Sequence, residues 1–191
     1  DQAASLTTAQ VQALTATQAA GLSTSAVAAM NSDQIATLGT AQLAALTTAQ
    51  VRAIDTDDLA AISASRLAAL TSAQVAALTT GQVQALSTAQ VQAMGSAQIA
   101  ALTTAQVSKM NTDQLQALTT AQVRALSSAQ LNSLSTDSIA SLETVDVAAL
   151  SATQFKSLST SNVAALSSDQ VAAMGTAQLA ALTTAQVRAI D

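Results

Sequence analysis

No proline, cysteine, histidine, tryptophan or tyrosine occurs among the 191 residues, and Phe155 is the one aromatic side chain. Each absence closes a route. Without cysteine there is no disulfide framework and no thiol nucleophile, and the redox compartment leaves no mark on the chain. Without histidine the usual transition-metal ligand and the commonest general base are gone as well. Charge is also scarce: 9% of residues are charged, against about 25% in an average soluble domain. The six Lys and Arg are scattered through a chain of net charge −5. No basic patch forms, which argues against nucleic acid as a partner. Ser, Thr or Gln interrupts every apolar run well short of the roughly 18 residues needed to span a bilayer, so membrane insertion is not expected.

What the chain does contain is Ala, Leu and Val. Half of the residues are hydrophobic, but a core built from such small side chains is thin and suits an elongated object better than a sphere. The order of these residues carries more information than their number. Residues 6–14 read LTTAQVQAL and residues 182–190 read LTTAQVRAI, and between them the same octad returns without insertion. Numbered from its Leu, position 1 is Leu, Met or Ile at every eighth residue from Leu6 to Ile190. Position 6 is apolar throughout, with Ala19 its one small residue and Phe155 its one aromatic.

Position 2 decides the secondary structure. It reads Thr7, Thr15, Ser23, Asn31, Gly39, Thr47, Asp55 and Ser63, and later Gly95, Asn111 and Gly175. That set is the one favoured at a helix N-cap. Three residues on, position 5 is usually Gln, as in Gln10, Gln42, Gln50, Gln74 and Gln186, which completes a capping box. The apolar residues at positions 1 and 6 stand where a hydrophobic staple requires them. Asp33, Asp113, Asp137 and Asp169 fall in the first turn, where the helix dipole favours an anion. Each octad therefore starts a new helix of about six residues.

Two other architectures fail. In one continuous helix an octad stripe rotates by about 80° per repeat and never forms a single buried face. In strands, positions 1 and 6 point to opposite faces, and the Ala and Gln content is wrong. A helix of about six residues is unstable alone and must be held by its neighbouring copies, which is the logic of a solenoid. The expectation is an all-α, tight α-solenoid with two octads, or 16 residues, per superhelical coil. The spacing of Met30, Met94, Met110 and Met174 by multiples of 16 points the same way; three helices per coil is the alternative. Leu and Val would fill the interior, Ala at positions 4 and 8 would allow close approach, and Thr, Gln and position 7 would face solvent.

Candidate sites are few. Asp55, Asp57 and Asp58 form the densest acidic cluster, but a calcium loop needs further ligands and a bidentate Glu that the stretch lacks. They read as a helix cap and first-turn charges. Lys109 and Lys156 have no patterned serine partner for a Ser–Lys dyad, and Phe155 and the four Met stand at core positions. Arg66 replaces the Gln of its octad and reads as a surface residue. Ranked threonines suggest an ice-binding face, but position 2 alternates too freely for a regular array. No catalytic, cofactor-binding or metal-binding residue is expected, and no cofactor.

The phrases LTTAQVQAL, LSTAQVQAM and LTTAQVRAL resemble the octapeptide arrays of very large bacterial proteins that are secreted or surface-exposed and adhesin-like, some labelled for haem utilisation or adhesion. The resemblance covers the whole chain and implies a tight α-solenoid at a bacterial cell surface or in a secreted protein. It does not carry haem binding over to residues that include no His or Cys.

The chain is expected to be a single solenoid over residues 1–191, part of a longer array, because DQAAS fits octad positions 4 to 8 and LTTAQVRAID repeats residues 46–55. Uncapped ends would favour end-to-end self-association. The expected function is a non-catalytic spacer or stalk. The alternative is a solenoid scaffold that binds a protein or glycan, which would gather aromatics or charge on one face.

Overall fold

The computed structural model describes residues 2–190 and contains 23 short α-helices, labelled α1 to α23 in chain order, one in each octad, after a 3-10 turn at Ala3–Ser5. No strand occurs among the described residues. The octads divide into two compact units, Asp1–Leu102 and Thr103–Asp191. The first unit holds α1 (Thr8–Ala13), α2 (Ala16–Ala20), α3 (Thr24–Ala28), α4 (Ser32–Thr37), α5 (Thr40–Ala45) and α6 (Thr48–Ala53). It continues with α7 (Thr56–Ala61), α8 (Ala64–Leu67), α9 (Ser72–Ala77), α10 (Thr80–Ala85), α11 (Thr88–Ala93) and α12 (Ser96–Ala101). The second unit holds α13 (Thr104–Val107), α14 (Thr112–Gln116), α15 (Thr120–Ala125), α16 (Ser128–Asn132), α17 (Thr136–Ala140) and α18 (Thr144–Ala149). Its last helices are α19 (Ala152–Ser157), α20 (Thr160–Ala164), α21 (Ser168–Ala172), α22 (Thr176–Ala181) and α23 (Thr184–Val187).

The start of each helix follows the octad. At α6, Thr47 Oγ1 accepts from Gln50 N at 3.2 Å while Thr47 N donates to Gln50 Oε1 at 2.7 Å. The two bonds satisfy two of the donors that a helix start leaves open. The end of each helix is set by positions 1 and 2. Leu14 has φ −60° and ψ 136°, and Thr15 follows at φ −70° and ψ 160°. Two extended residues in a row make the corner, and no described residue has positive φ. Such a corner needs neither glycine nor proline, which accounts for a chain with five Gly and no Pro.

The solenoid expectation holds, but the coil is larger than two octads. Within each unit the helix packed against a given helix is the third one on: α1 on α4, α2 on α5 and α4 on α7 in the first unit, α15 on α18 and α19 on α22 in the second. One coil is therefore three octads, or 24 residues. The methionine spacing was misleading because every position 1 is equivalent: Met30, Met94, Met110 and Met174 are all 3–7% exposed, as are their Leu counterparts Leu78 and Leu86.

Positions 1 and 6 fill the interior as expected, with Val11, Ile35, Leu43 and Val51 fully buried. Position 6 is covered by the coil that follows. Leu179 and Val187, in α22 and α23, have no later helix over them among the described residues and are 44% and 53% exposed. Position 7 faces solvent at Arg52, Arg124 and Lys156. Alanine at position 4 is exposed, as at Ala41, Ala49 and Ala73, so the close approach between coils falls to position 8, which is mostly half-buried.

Candidate functional site

The feature that organises the molecule is the slot occupied by position 5. The sequence placed Gln there as a solvent-facing cap, and the structure corrects that. Gln2, Gln10 and Gln18, at the start of the array, are exposed, and the other fifteen position-5 glutamines are 1–7% exposed. In eleven of them, among them Gln42, Gln82 and Gln186, the amide faces two ways. Gln82 Oε1 accepts from Thr79 N at 2.8 Å, the start of its own helix. Gln82 Nε2 donates to Val51 O at 3.0 Å and Ile54 O at 2.8 Å, the last carbonyls of α6 one coil below. Gln42 does the same to Val11 O and Leu14 O at 2.9 and 2.7 Å, and Gln186 to Phe155 O and Leu158 O at 2.9 and 2.8 Å. In these three the carbonyls lie 31 and 28 residues back, and at Gln98 and Gln154 they lie 30 and 28 back. Six-residue helices have more orphan N–H and C=O groups than internal bonds. One primary amide, with both donor and acceptor, answers orphans at two helix ends in two coils.

Six octads depart from Gln at position 5: Ala26, Asp58, Arg66, Ser138, Asp146 and Asn162. Ala26 lies in α3, which packs on the 3-10 turn at Ala3–Ser5. Arg66 is half-buried and not a surface residue: its Nη1 donates to Ala36 O, taking the Gln's part in tying one coil to the next. Asp58 accepts from Ser32 Oγ at 2.5 Å. Ser138 stays within its own cap, with its N–H on Ser135 Oγ at 3.1 Å.

Asp146 and Asn162 are buried, at 2% and 4% exposed. Asn162 is one methylene shorter than Gln, and its Nδ2 has no partner. Asp146 brings a carboxylate into a slot built for a donor. Burial pushes its carboxyl from 3.8 up to about 6, and the neighbouring Glu143 charge adds to the effect. Glu143 is also the N-cap of α18 and makes no side-chain cap bond. Neither Asp146 nor Asn162 stood out in the sequence as a site. The signal that marks them is a break in the row of Gln, which is informative only once that row is known to be buried.

The other sequence candidates keep ordinary places. Asp55 caps α7 by accepting from Asp57 N at 3.0 Å, and no group of three or more His, Cys, Asp or Glu side chains that could hold a metal ion occurs among the described residues. Phe155 is fully buried in the core. Lys109 and Lys156 are exposed. Two surface hollows are present, one of about 510 Å³ beside Leu6, Leu22 and Ala26, the other of about 280 Å³ beside Val163, Leu166 and Ile190. Neither is lined by an ionisable side chain. No helix among the described residues is long and apolar enough to cross a membrane.

The pattern that defines the ALTTAQ repeat matches this sequence four times in tandem, at residues 51–88, 80–112, 107–144 and 139–176. These overlapping matches run from residue 51 to residue 176, so they take in both compact units. Among curated proteins, none matches the chain.

Proposed function

The chain belongs to the ALTTAQ repeat family, and we propose that it serves as a non-catalytic structural array, a spacer or stalk within a secreted or surface-exposed bacterial protein. The observation that carries this reading is the division of labour within the octad. The positions that hardly change, 1, 5 and 6, are the ones that bond and pack one coil to the next. The exposed position 7 varies without pattern among Gln12, Ala44, Arg52, Ser108, Asn132 and Lys156. Each added octad lengthens the scaffold and contributes no recurrent surface chemistry. The assignment to a bacterial surface rests on the resemblance of LTTAQVQAL and its variants to octapeptide arrays of large adhesin-like proteins.

The test is to vary the number of coils. In a fusion that displays a reporter domain beyond the array, removing or adding 24-residue coils should change how far the reporter stands from its anchor. Replacing Arg52, Arg124 and Lys156 together with Ala should leave reporter display unchanged. Loss of attachment to a protein or glycan surface in that triple variant, with the fold intact, would favour a binding scaffold instead.

A further inference from the structure

The slot at Asp146 differs from every other in the second unit. By the repeat's spacing, the carbonyls beneath it are Leu115 and Leu118, at the end of α14. Elsewhere a Gln Nε2 donates to the equivalent pair, as Gln170 does to Ile139 and Leu142 at 3.4 and 2.7 Å. Asp146 has no donor to offer when ionised, and no hydrogen-bond donor among the described residues reaches its carboxylate. The neighbouring octad is unclamped as well, because Ser138 is too short to reach the corner below. Two successive helices, α17 and α18, therefore lack the position-5 amide tie to the coil beneath: α17 is held to α14 by one exposed bond, Gln116 Nε2 to Ser141 O at 3.2 Å, and α18 by its packing on α15.

We propose that α17 and α18 form a pH-sensitive seam, closed while the Asp146 carboxyl holds its proton and loosened when it is ionised. The physical basis is a charge placed against carbonyl dipoles in a buried slot. Asn162 supplies the internal control: a neutral side chain of the same length sits in an equivalent slot, 4% exposed and with its Nδ2 unpartnered, with its helix in place. Charge, more than length, is what the slot resists.

Other ionisable groups on the packed elements are placed differently. Arg124 on α15, Asp169 on α21, Asp137 on α17 and Asp113 on α14 are all exposed. Only Glu143, at the start of the same helix, adds to the cost of ionising Asp146. A folded carboxyl raised from 3.8 to about 6 contributes stability that is complete below 3.8 and is lost as pH rises through 6. The seam is thus tight in mild acid and loosened by pH 7.

Hydrogen exchange on the intact chain tests this, with protection factors corrected for the intrinsic pH dependence. Between pH 5 and 7.5 the protection of α17 and α18 amides should fall roughly ten-fold relative to those of α22 and α23, the change that linkage gives for this shift. Asp146→Asn should be protected at both pH values and show no such change, and Asp146→Gln should be protected further. A pH response that survives in Asp146→Asn, or equal protection at the two pH values in the unaltered chain, would overturn the proposal. So would protection at pH 7.5 restored by millimolar calcium chloride, since a cation would then be answering the carboxylate in place of a proton.

Discussion

Asn132 stands in for Asn162 at the start of α20. Asn162 is too short to reach back to the N-cap, so Ser159 N donates instead to Asn132 Oδ1, from α16 in the coil below, at 2.8 Å. Asn132 Nδ2 donates in turn to Ser157 O at 2.6 Å. A position that is otherwise free to vary thus closes a corner that position 5 has left open. Position 5 gives the Gln rule its force, and this pair shows what a departure from the rule requires.

The pair predicts an energetic coupling. Asn132→Ala should cost about 1 kcal/mol, the worth of two hydrogen bonds at an exposed corner. Asn162→Gln should restore both halves of the usual amide, and in that background Asn132→Ala should cost markedly less. A double-mutant cycle by urea denaturation is expected to give a coupling of about 1 kcal/mol. Costs that add within about 0.3–0.5 kcal/mol would show that the two residues act independently.

The slot itself predicts a difference between two identical residues. Gln10 caps α1, with Thr7 N on its Oε1 at 2.8 Å, and is exposed. Gln82 caps α10 and also holds Val51 O and Ile54 O, and is 1% exposed. Gln10→Ala should cost about 0.5–1 kcal/mol. Gln82→Ala should cost about 2–4 kcal/mol, because it also leaves buried carbonyls without donors. Gln82→Glu should be at least as damaging near neutral pH. Equal destabilisation of the two Ala variants, measured by thermal unfolding, would return Gln82 to the role of a simple cap.

Glycine caps offer the opposite sign. Gly39, Gly95 and Gly175 begin α5, α12 and α22 with φ between −77° and −72°, which any L-residue adopts. A Cβ at Gly95 would meet Gln98 Oε1 at 3.5 Å, an ordinary contact. Each helix already receives the Gln half of its box, as in Gly95 N to Gln98 Oε1 at 2.6 Å. Threonine would add the missing acceptor, so each Gly→Thr change should stabilise by a few tenths to about 1 kcal/mol. A melting temperature that fails to rise in the triple variant would mean that the second bond does not form.

Helix starts were legible in the sequence because capping is local: Thr47, Gln50 and Val51 lie within one turn and report on each other. The interior was legible for the same reason, since positions 1 and 6 are fixed by one helix and its staple. Coil size was not. Equal octads carry no pattern that distinguishes 16 residues from 24, and the closing angle depends on two extended corner residues whose geometry repeats identically. Only the irregular octads carry that information, through Ser32 with Asp58, Ala36 with Arg66 and Asn132 with Ser159, pairs 26, 30 and 27 residues apart. The second role of Gln stayed hidden with the coil size, because its carbonyl partners belong to the coil below. With Gln assigned to solvent, nothing in the sequence marks the breaks at Asp146 and Asn162.

Coil size can be checked directly within the first unit. Arg52 and Ala76 hold the same octad position in α6 and α9, which pack together, whereas Ala68 holds it at the C-cap of α8, on another side of the coil. Packed helices lie about 8–10 Å apart. Spin labels on cysteines introduced at residues 52 and 76 should therefore show strong dipolar broadening, and labels at residues 52 and 68 distinctly less. A coil of two octads reverses the order, because residues 16 apart would then be stacked and residues 24 apart would lie on opposite sides. The sequence has no native cysteine, so each label reports only on the pair introduced.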